Sequence, residues 1–476
     1  MKRLRRTTLI TLFCLAVLAG LGLARKFQLQ AELWWTVFLP LFWLVRRKNF
    51  TAMVLVTILG LSLGLWRGGI YMQKLGELKA LSGQSVTIEA TATSDSVYGQ
   101  ATQLGFTAGH AQLQPSHKPL AGNFKVSGFG EAMIYRGDKV QISGKIYPSR
   151  GANQARISYA QLKRTGLDNS WVNRFTRRFS AGMQSALPEP NSSFGMGLLI
   201  GQRSTLSQDI LNQLTMVGLL HIVAVSGYNL TILVRASSKL KLRSKYQKLV
   251  LSLALIGFFI LMTGFSASIV RAAIVSVLSL WAWFYGRKIR PVLILAFTAA
   301  LTALFNPFYI WGDPGWYLSF LAFFGVLIIS PIIVSKLFRR QPKIIVGVAM
   351  ETLAAEVMTL PLIMAMFGQL SLVGLATNVL VVPLIPFAML LSAAAAAAGM
   401  LAPAAAGWLA WPANLLLTYI LDIVRLFSSI PGIFLHRSIS TPGMLYFYAL
   451  VLLVIAAAHK QHDNQKTGII TDKKVV

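Results

Sequence analysis

One cysteine occurs in 476 residues, and Cys14 sits inside an apolar run. No intrachain disulfide and no cysteine-based metal site can therefore form. Charge is scarce too: 13% of residues are charged, where a soluble chain carries about 25%. Acids are the scarcer sign, 15 against 45 Lys or Arg. Soluble nucleic-acid binders are basic through charge density, and this composition is not theirs. No Gly-x-x-x-x-Gly-Lys-Ser/Thr loop occurs, so no P-loop ATP motor is present. Neither His-x-His-x-Asp-His nor His-Glu-x-x-His occurs, which argues against a hydrolytic metal site. These absences exclude a soluble enzyme, a disordered tail protein and a disulfide-stapled secreted domain.

What the chain does have is apolar runs of about 20 residues, the length that crosses a bilayer. The expected fold is a polytopic α-helical membrane protein of about 10–12 transmembrane helices, with a small extracytoplasmic OB-like β-barrel. Residues 1–73 read as N-terminal membrane helices. The first follows Lys2, Arg3, Arg5 and Arg6 and reads as uncleaved; the second covers about 32–45 and the third about 51–71. Gly60, Gly64 and Gly68 recur every four residues on the third, a close-packing face for another helix. Residues 172–215 look amphipathic and interfacial, carrying Arg174, Arg177 and Arg178. Residues 216–459 read as nine further apolar segments, and 460–476 as a polar cytoplasmic tail. Basic clusters at Lys239–Lys248, Arg287–Arg290 and Lys336–Lys343 all fall on the cytoplasmic side if each segment crosses once. Both termini are then cytoplasmic, in the inner membrane.

Residues 74–171 change character. Short runs such as Val86–Thr91, Phe124–Val126, Val140–Ile142 and Ile157–Tyr159 alternate with period two between turn residues. This β-domain carries eleven Lys or Arg and six Asp or Glu, with aromatics interleaved. Lys118, Lys125, Arg136, Lys139, Lys145, Arg150 and Arg156, with Phe124, Tyr135 and Tyr159, are its candidate contacts to single-stranded nucleic acid. Cations meet phosphates and rings stack on bases. The plainer alternative leaves the same aromatics in the domain's own core.

Only five acids lie between 190 and 458: Asp209, Asp313, Glu351, Glu356 and Asp422. Ionisable groups at membrane depth face a cavity or one another. Glu351 and Glu356 are roughly 140° apart on a helix, so they form no carboxylate pair. Arg271 follows the small-residue stretch Gly264–Ser268 and has either Glu356 as a partner or a phosphate path to face. His221, Ser226, Gly227 and Asn229 make the densest polar stretch of the apolar region. With Arg271, Ser319, Glu356 and Asn378 they are the candidate lining of a polar path. His221 and Ser226 are too close on one helix for a base to face a nucleophile. No catalytic residue, metal or cofactor is expected.

Five motifs then resemble one family in order. Leu220-His221-Ile-Val-Ala-Val-Ser226-Gly227 resembles the His-Leu-Leu-Ala-Ile/Val-Ser-Gly signature of the ComEC family of bacterial competence proteins. Leu198–Ser204 resembles the segment before it, and Ser268-Ile-Val-Arg271-Ala272 the Ser-x-x-Arg-Ala motif. Asp313–Ala322 is similar to the Gly-Phe-x-Leu-Ser-Phe-x-Ala block. Leu360-Pro361, Phe367-Gly368, Asn378 and Pro383 resemble the downstream block. The resemblance implies passage of single-stranded DNA across the cytoplasmic membrane in natural transformation, with a DNA-handling β-domain outside. It also implies a membrane DNA receptor and a cytoplasmic helicase or ATPase as partners; oligomeric state is left open. Two departures stand out. Tyr228-Asn229 replaces the family's usual Leu-His after Ser-Gly. No C-terminal metallo-β-lactamase-like domain follows the last span, so strand degradation is expected of a separate nuclease. The rival readings are a secondary transporter of a small anionic or polar solute and, less favoured, an intramembrane hydrolase.

Overall fold

The structure, a computed structural model, describes residues 5–27, 50–98, 103–149, 153–168, 170–202, 205–223, 227, 229–230, 234, 244–287, 290–338, 342 and 344–455. Two compact units emerge. The first comprises Met1–Ile210, His221–Tyr317 and Pro386–Tyr419; the second, Leu211–Leu220, Leu318–Ile385 and Ile420–Val476.

In the first unit, helix α1 (Arg6–Ala24) packs on α2 (Phe50–Ala80) through glycine. A Cβ on Gly60 would lie 2.6 Å from the Phe13 carbonyl oxygen, and Cβ atoms on Gly64 and Gly68 would run into Val17 and Ala24. The spacing of four puts all three on one face, as the sequence predicts. At 31 residues α2 outlasts the hydrocarbon layer. Its end feeds the β-domain: Leu78 joins that domain's core, and Tyr71 Oη accepts a 3.2 Å hydrogen bond from Gln154.

The β-domain holds strands β1 (Ser85–Ala92), β2 (Val97–Tyr98), β3 (Leu104–Gln114), β4 (Lys118–Pro119), β5 (Phe124–Phe129), β6 (Lys139–Pro148) and β7 (Ala155–Gly166). Pairings run β1–β6–β7–β5–β3, and β3 pairs back to β1; β5–β7 is the parallel pair. Alternate residues of each long strand, among them Ile88, Phe106, Phe124, Val126, Ile142 and Ile157, fill the interior.

After it come α3 (Trp171–Ala186), α4 (Asn191–Ile200), α5 (Gln208–Met216) and α6 (Leu220–Val223). Helix α3 starts on the Ser170 side chain, which accepts from the Asn173 amide, and is amphipathic as expected. Helix α4 differs from the interfacial expectation: every residue from Asn191 to Leu199 is buried. Its polar Asn191 is accommodated by 2.7 Å hydrogen bonds to Asn414 Oδ1 and Thr418 Oγ1. The first unit continues with α7 (Lys245–Thr263), α8 (Ala267–Phe284), α9 (Pro291–Phe305) and α10 (Phe308–Gly312).

The second unit holds most of α11 (Pro314–Phe324), which runs through a π-helical turn, Gly325–Ile329, into α12 (Ser330–Leu337). Helix α13 (Ile344–Phe367) contains Pro361. Strand β8 (Leu370–Ser371) pairs with β9 (Phe434–Leu435). Helix α14 (Gly374–Val381) also belongs here, whereas nearly all of α15 (Ile385–Leu401), α16 (Ala406–Leu409) and the first half of α17 (Trp411–Ser428) belong to the first unit.

Among the described residues, seven helices are long and apolar enough to cross a membrane, eight if the bent pair α16–α17 counts as one span. The protein is therefore a multi-pass membrane protein with a separate β-sheet region. The lower count concerns four of the expected segments. The expected span at 32–45 lies outside the described residues. Part of the one at 216–236 lies outside them as well. Helix Pro291–Phe305 is shorter than the roughly 20 residues a perpendicular crossing needs, and the described part of the last helix is Thr441–Ile455.

Candidate functional site

On the outer surface of the β-domain, Ser85, Gly144, Lys145, Tyr147, Arg156, Ser158 and Tyr159 line an open groove of about 590 Å³. Strand register builds it. Lys145 lies opposite Ser85 on one side and Ser158 on the other, while Tyr147 lies opposite Arg156, itself opposite Lys125. A cross-strand row Lys125–Arg156–Tyr147 results. Tyr159 arrives by a different route. Val126 pairs with Ile157 but Gly128 with Ala160, so β7 carries one extra residue there. That bulge turns Tyr159 to φ +55° and leaves it 76% exposed. A bulky side chain held at positive φ is strained, and such residues gather at functional surfaces. Two cations and two exposed rings thus share one concave surface.

The other β-domain candidates divide. Lys125 and Lys139 are exposed. Lys118 is exposed but ion-paired with Glu77 at 3.0 Å. Tyr135 is half-buried, and Arg150 lies outside the described residues. Phe124 is fully buried in the β-domain's interior, so its ring offers no face to a base; for this residue the plainer core alternative holds. Arg136 is also a structural cation. Its Nη2 donates to the carbonyls of Leu261 and Met262 at 3.2 and 3.1 Å, closing the C-terminal end of α7. Burial pulls its guanidinium below the ordinary value, opposed by Asp95 and Asp168. Tyr147 escaped the sequence reading, although it stands two residues from Lys145, on the same side of β6.

In the helical part of the first unit, the motifs meet. Asn229, 1% exposed, donates a 3.0 Å hydrogen bond from Nδ2 to the Leu198 carbonyl, joining the signature to the segment before it. Gly227 is buried, His221 is exposed at the start of α6, and Ser226 lies outside the described residues. Arg271 is 2% exposed and donates from Nη2 to the Gly315 carbonyl at 2.9 Å. Its acidic neighbour is Asp313, not the Glu356 the sequence offered. Asp313 in turn accepts the Gly315 amide at 2.9 Å and so fastens the start of α11. Burial raises the Asp313 carboxyl, and Arg271 with the Gly315 and Trp316 amides draws it back down. Arg271 holds the Asp313–Gly315 turn and presents no free surface.

In the second unit, Ser319 is half-buried on α11. Asn378, 5% exposed on α14, hydrogen-bonds through its side chain to the Glu356 carboxylate. Ser371 and Gly374, which the sequence reading passed over, stand beside them. Only folding brings these together, since 22 residues and a turn separate Glu356 from Asn378. Among the described residues no group of three His, Cys, Asp or Glu could hold a metal ion.

Comparison with known proteins follows this geometry. The chain is 24% identical over 288 residues to ComE operon protein 3 of Bacillus subtilis (strain 168). That match covers 59% of this chain and 36% of the relative, so the chain spans little more than a third of that protein's length. No solved structure matches. A family described as "Competence protein" matches residues 198–461, the stretch from the end of α4 onward that contains Asn229, Arg271, Asp313, Glu356 and Asn378. Since that stretch is more than half of the sequence, the chain belongs to the competence protein family.

Proposed function

We propose that this protein takes part in DNA uptake as a membrane channel for single-stranded DNA. In this reading the β-domain is an OB-like barrel: five strands pair in a ring, with one parallel pair between β5 and β7. It stands outside the cytoplasmic membrane and collects the strand. Polar residues of the signature stretch, with His221 and Ser226 as candidates, line the path. A cytoplasmic helicase or ATPase pulls, because no P-loop is present in the sequence. A membrane DNA receptor delivers the strand, and a separate nuclease removes its complement. Both termini are cytoplasmic.

The observation that carries the reading is the groove of Lys145, Tyr147, Arg156 and Tyr159. Cations at strand spacing meet successive phosphates, and two exposed rings give bases a stacking surface. A carrier for a small solute has no need of such a surface outside its membrane region.

The test is internalisation of labelled DNA by a naturally competent host lacking this gene. Loss of uptake, restored by the intact gene and not by a Lys145→Ala/Arg156→Ala version, is the expected result. Normal uptake in the deletion strain overturns the reading.

A further inference from the structure

A knot of buried oxygens lies inside the second unit, and two of its members, Glu356 and Asn378, are candidate path residues. Glu356 Oε2, Ser371 Oγ and Asn378 Oδ1 are each buried without a hydrogen-bond donor. Asn378 is 95% buried by its 5% exposure, and its side chain hydrogen-bonds the Glu356 carboxylate. A carboxylate only accepts, so the amide must turn its NH₂ to Glu356 and leave its oxygen undonated. A flip of the amide would not cure this.

Gly374 leaves space between the Glu356 carboxylate and the Ser371 side chain, one helical turn before Asn378. A Cβ there would lie 2.9 Å from Glu356 Oε1 and 3.5 Å from Ser371 Oγ. Glycine thus keeps clear a pocket about the size of one methyl group, walled by the two oxygens. Helix α14 begins at this residue. A helix end supplies only about half a charge, and a buried carboxylate needs a full one. One residue past Glu356, the Val357 carbonyl has lost its helical donor to Pro361.

We propose that Glu356, Ser371 and Asn378 form a binding site for a small monovalent alkali cation, of the size of sodium. All the free ligands are hard oxygens, which select hard cations over transition metals. A single carboxylate balances one positive charge and not two. Broken helices that offer side-chain and unwound backbone oxygens near the middle of a membrane protein are the usual setting for such an ion. This site does not depend on the DNA reading and stands if that reading falls.

The test uses the intact chain purified in detergent, with sodium replaced by N-methylglucamine at constant ionic strength. Saturable binding of ²²Na⁺ is expected in the wild type. Glu356→Gln is expected to abolish it and Ser371→Ala to weaken it by about tenfold, a 1.4 kcal/mol loss. Gly374→Ala fills the pocket, displacing only the mobile end of the Glu356 side chain, and should abolish binding in a folded protein. Sodium should also raise the melting temperature of the wild type and leave that of Gly374→Ala unmoved. The proposal is overturned by absence of saturable binding to the wild type, or by binding that survives both Glu356→Gln and Gly374→Ala. It is equally overturned by a melting shift that follows pH and ignores sodium, since a proton or an ordered water then fills the site.

Discussion

Asn229 Nδ2 donates to the carbonyl of Leu198 at 3.0 Å, across 31 positions of sequence. Helix α4 ends two residues after Leu198, so that carbonyl is among the four a helix leaves without an internal donor. Asn229 acts as its cap, inside the protein and away from water. Asn229→Ala should therefore cost about 1–3 kcal/mol, the penalty for stranding a buried carbonyl. The check is a lower melting midpoint for the purified variant. Asn229→Leu, which keeps the volume but not the donor, should fall equally far.

The relation of sequence to structure varied by element. The glycine ladder at Gly60, Gly64 and Gly68 was legible because its period matches a helix and only close packing needs it. Phe124, a candidate nucleic-acid contact from its sequence setting, is instead core: it alternates with Lys125, and the face it shares with Val126 is the apolar one. Tyr159 was not legible. It stands two residues from Ile157, and simple alternation sends both inward, yet one is fully buried and the other exposed. The bulge that separates them depends on pairing with β5, a tertiary event with no local signature. Arg271 and Asp313 are 42 positions apart, and membrane burial made any acid in the apolar region a conceivable partner. The choice between Asp313 and Glu356 was made by helix packing.

Arg156 and Arg136 should behave as opposites. Both are β-domain cations, but one lines an open groove and the other binds backbone carbonyls. Fluorescence anisotropy of a labelled single-stranded oligonucleotide on the intact protein separates them. Arg156→Ala should weaken binding and lower the slope of log K against log salt by about one. Tyr159→Ala should cost about 1–3 kcal/mol of stacking and leave that slope unchanged. Arg136→Ala should leave both nearly intact and lower the melting temperature instead.

Gly64 should tolerate no side chain. A Cβ at this position runs into the Val17 carbonyl and lies 2.7 Å from the Leu21 amide nitrogen, all of it helix backbone that cannot step aside. Gly64→Leu should force α1 and α2 apart, costing more than the about 1–3 kcal/mol typical of overpacking. Cys14, buried on α1 and the single thiol in the sequence, is a built-in reporter. The temperature at which a thiol-reactive dye labels Cys14 should drop by several degrees. Gly22, whose Cβ would meet nothing within 4 Å, is the control: Gly22→Leu should melt like the wild type.

Arg271 poses the sharpest choice, because a cation at membrane depth suits either a phosphate path or a buried pair. Its 2% exposure and its bond to the Gly315 carbonyl favour the buried role, with the Asp313 charge acting on it from nearby. Removing one member of a buried pair strands the other, at a cost of about 3–5 kcal/mol, while removing both is often far cheaper. Arg271→Ala should therefore reduce the amount of protein in the membrane and its melting temperature. Asp313→Asn should do so as well, though less, since an amide still accepts the Gly315 hydrogen bond. The double variant Arg271→Ala/Asp313→Asn should be more stable than the sum of the singles, by about 0.5–3 kcal/mol in a double-mutant cycle. If Arg271→Ala instead abolishes DNA uptake with protein level and melting temperature unchanged, the guanidinium lies in the path of the strand and the pairing is incidental.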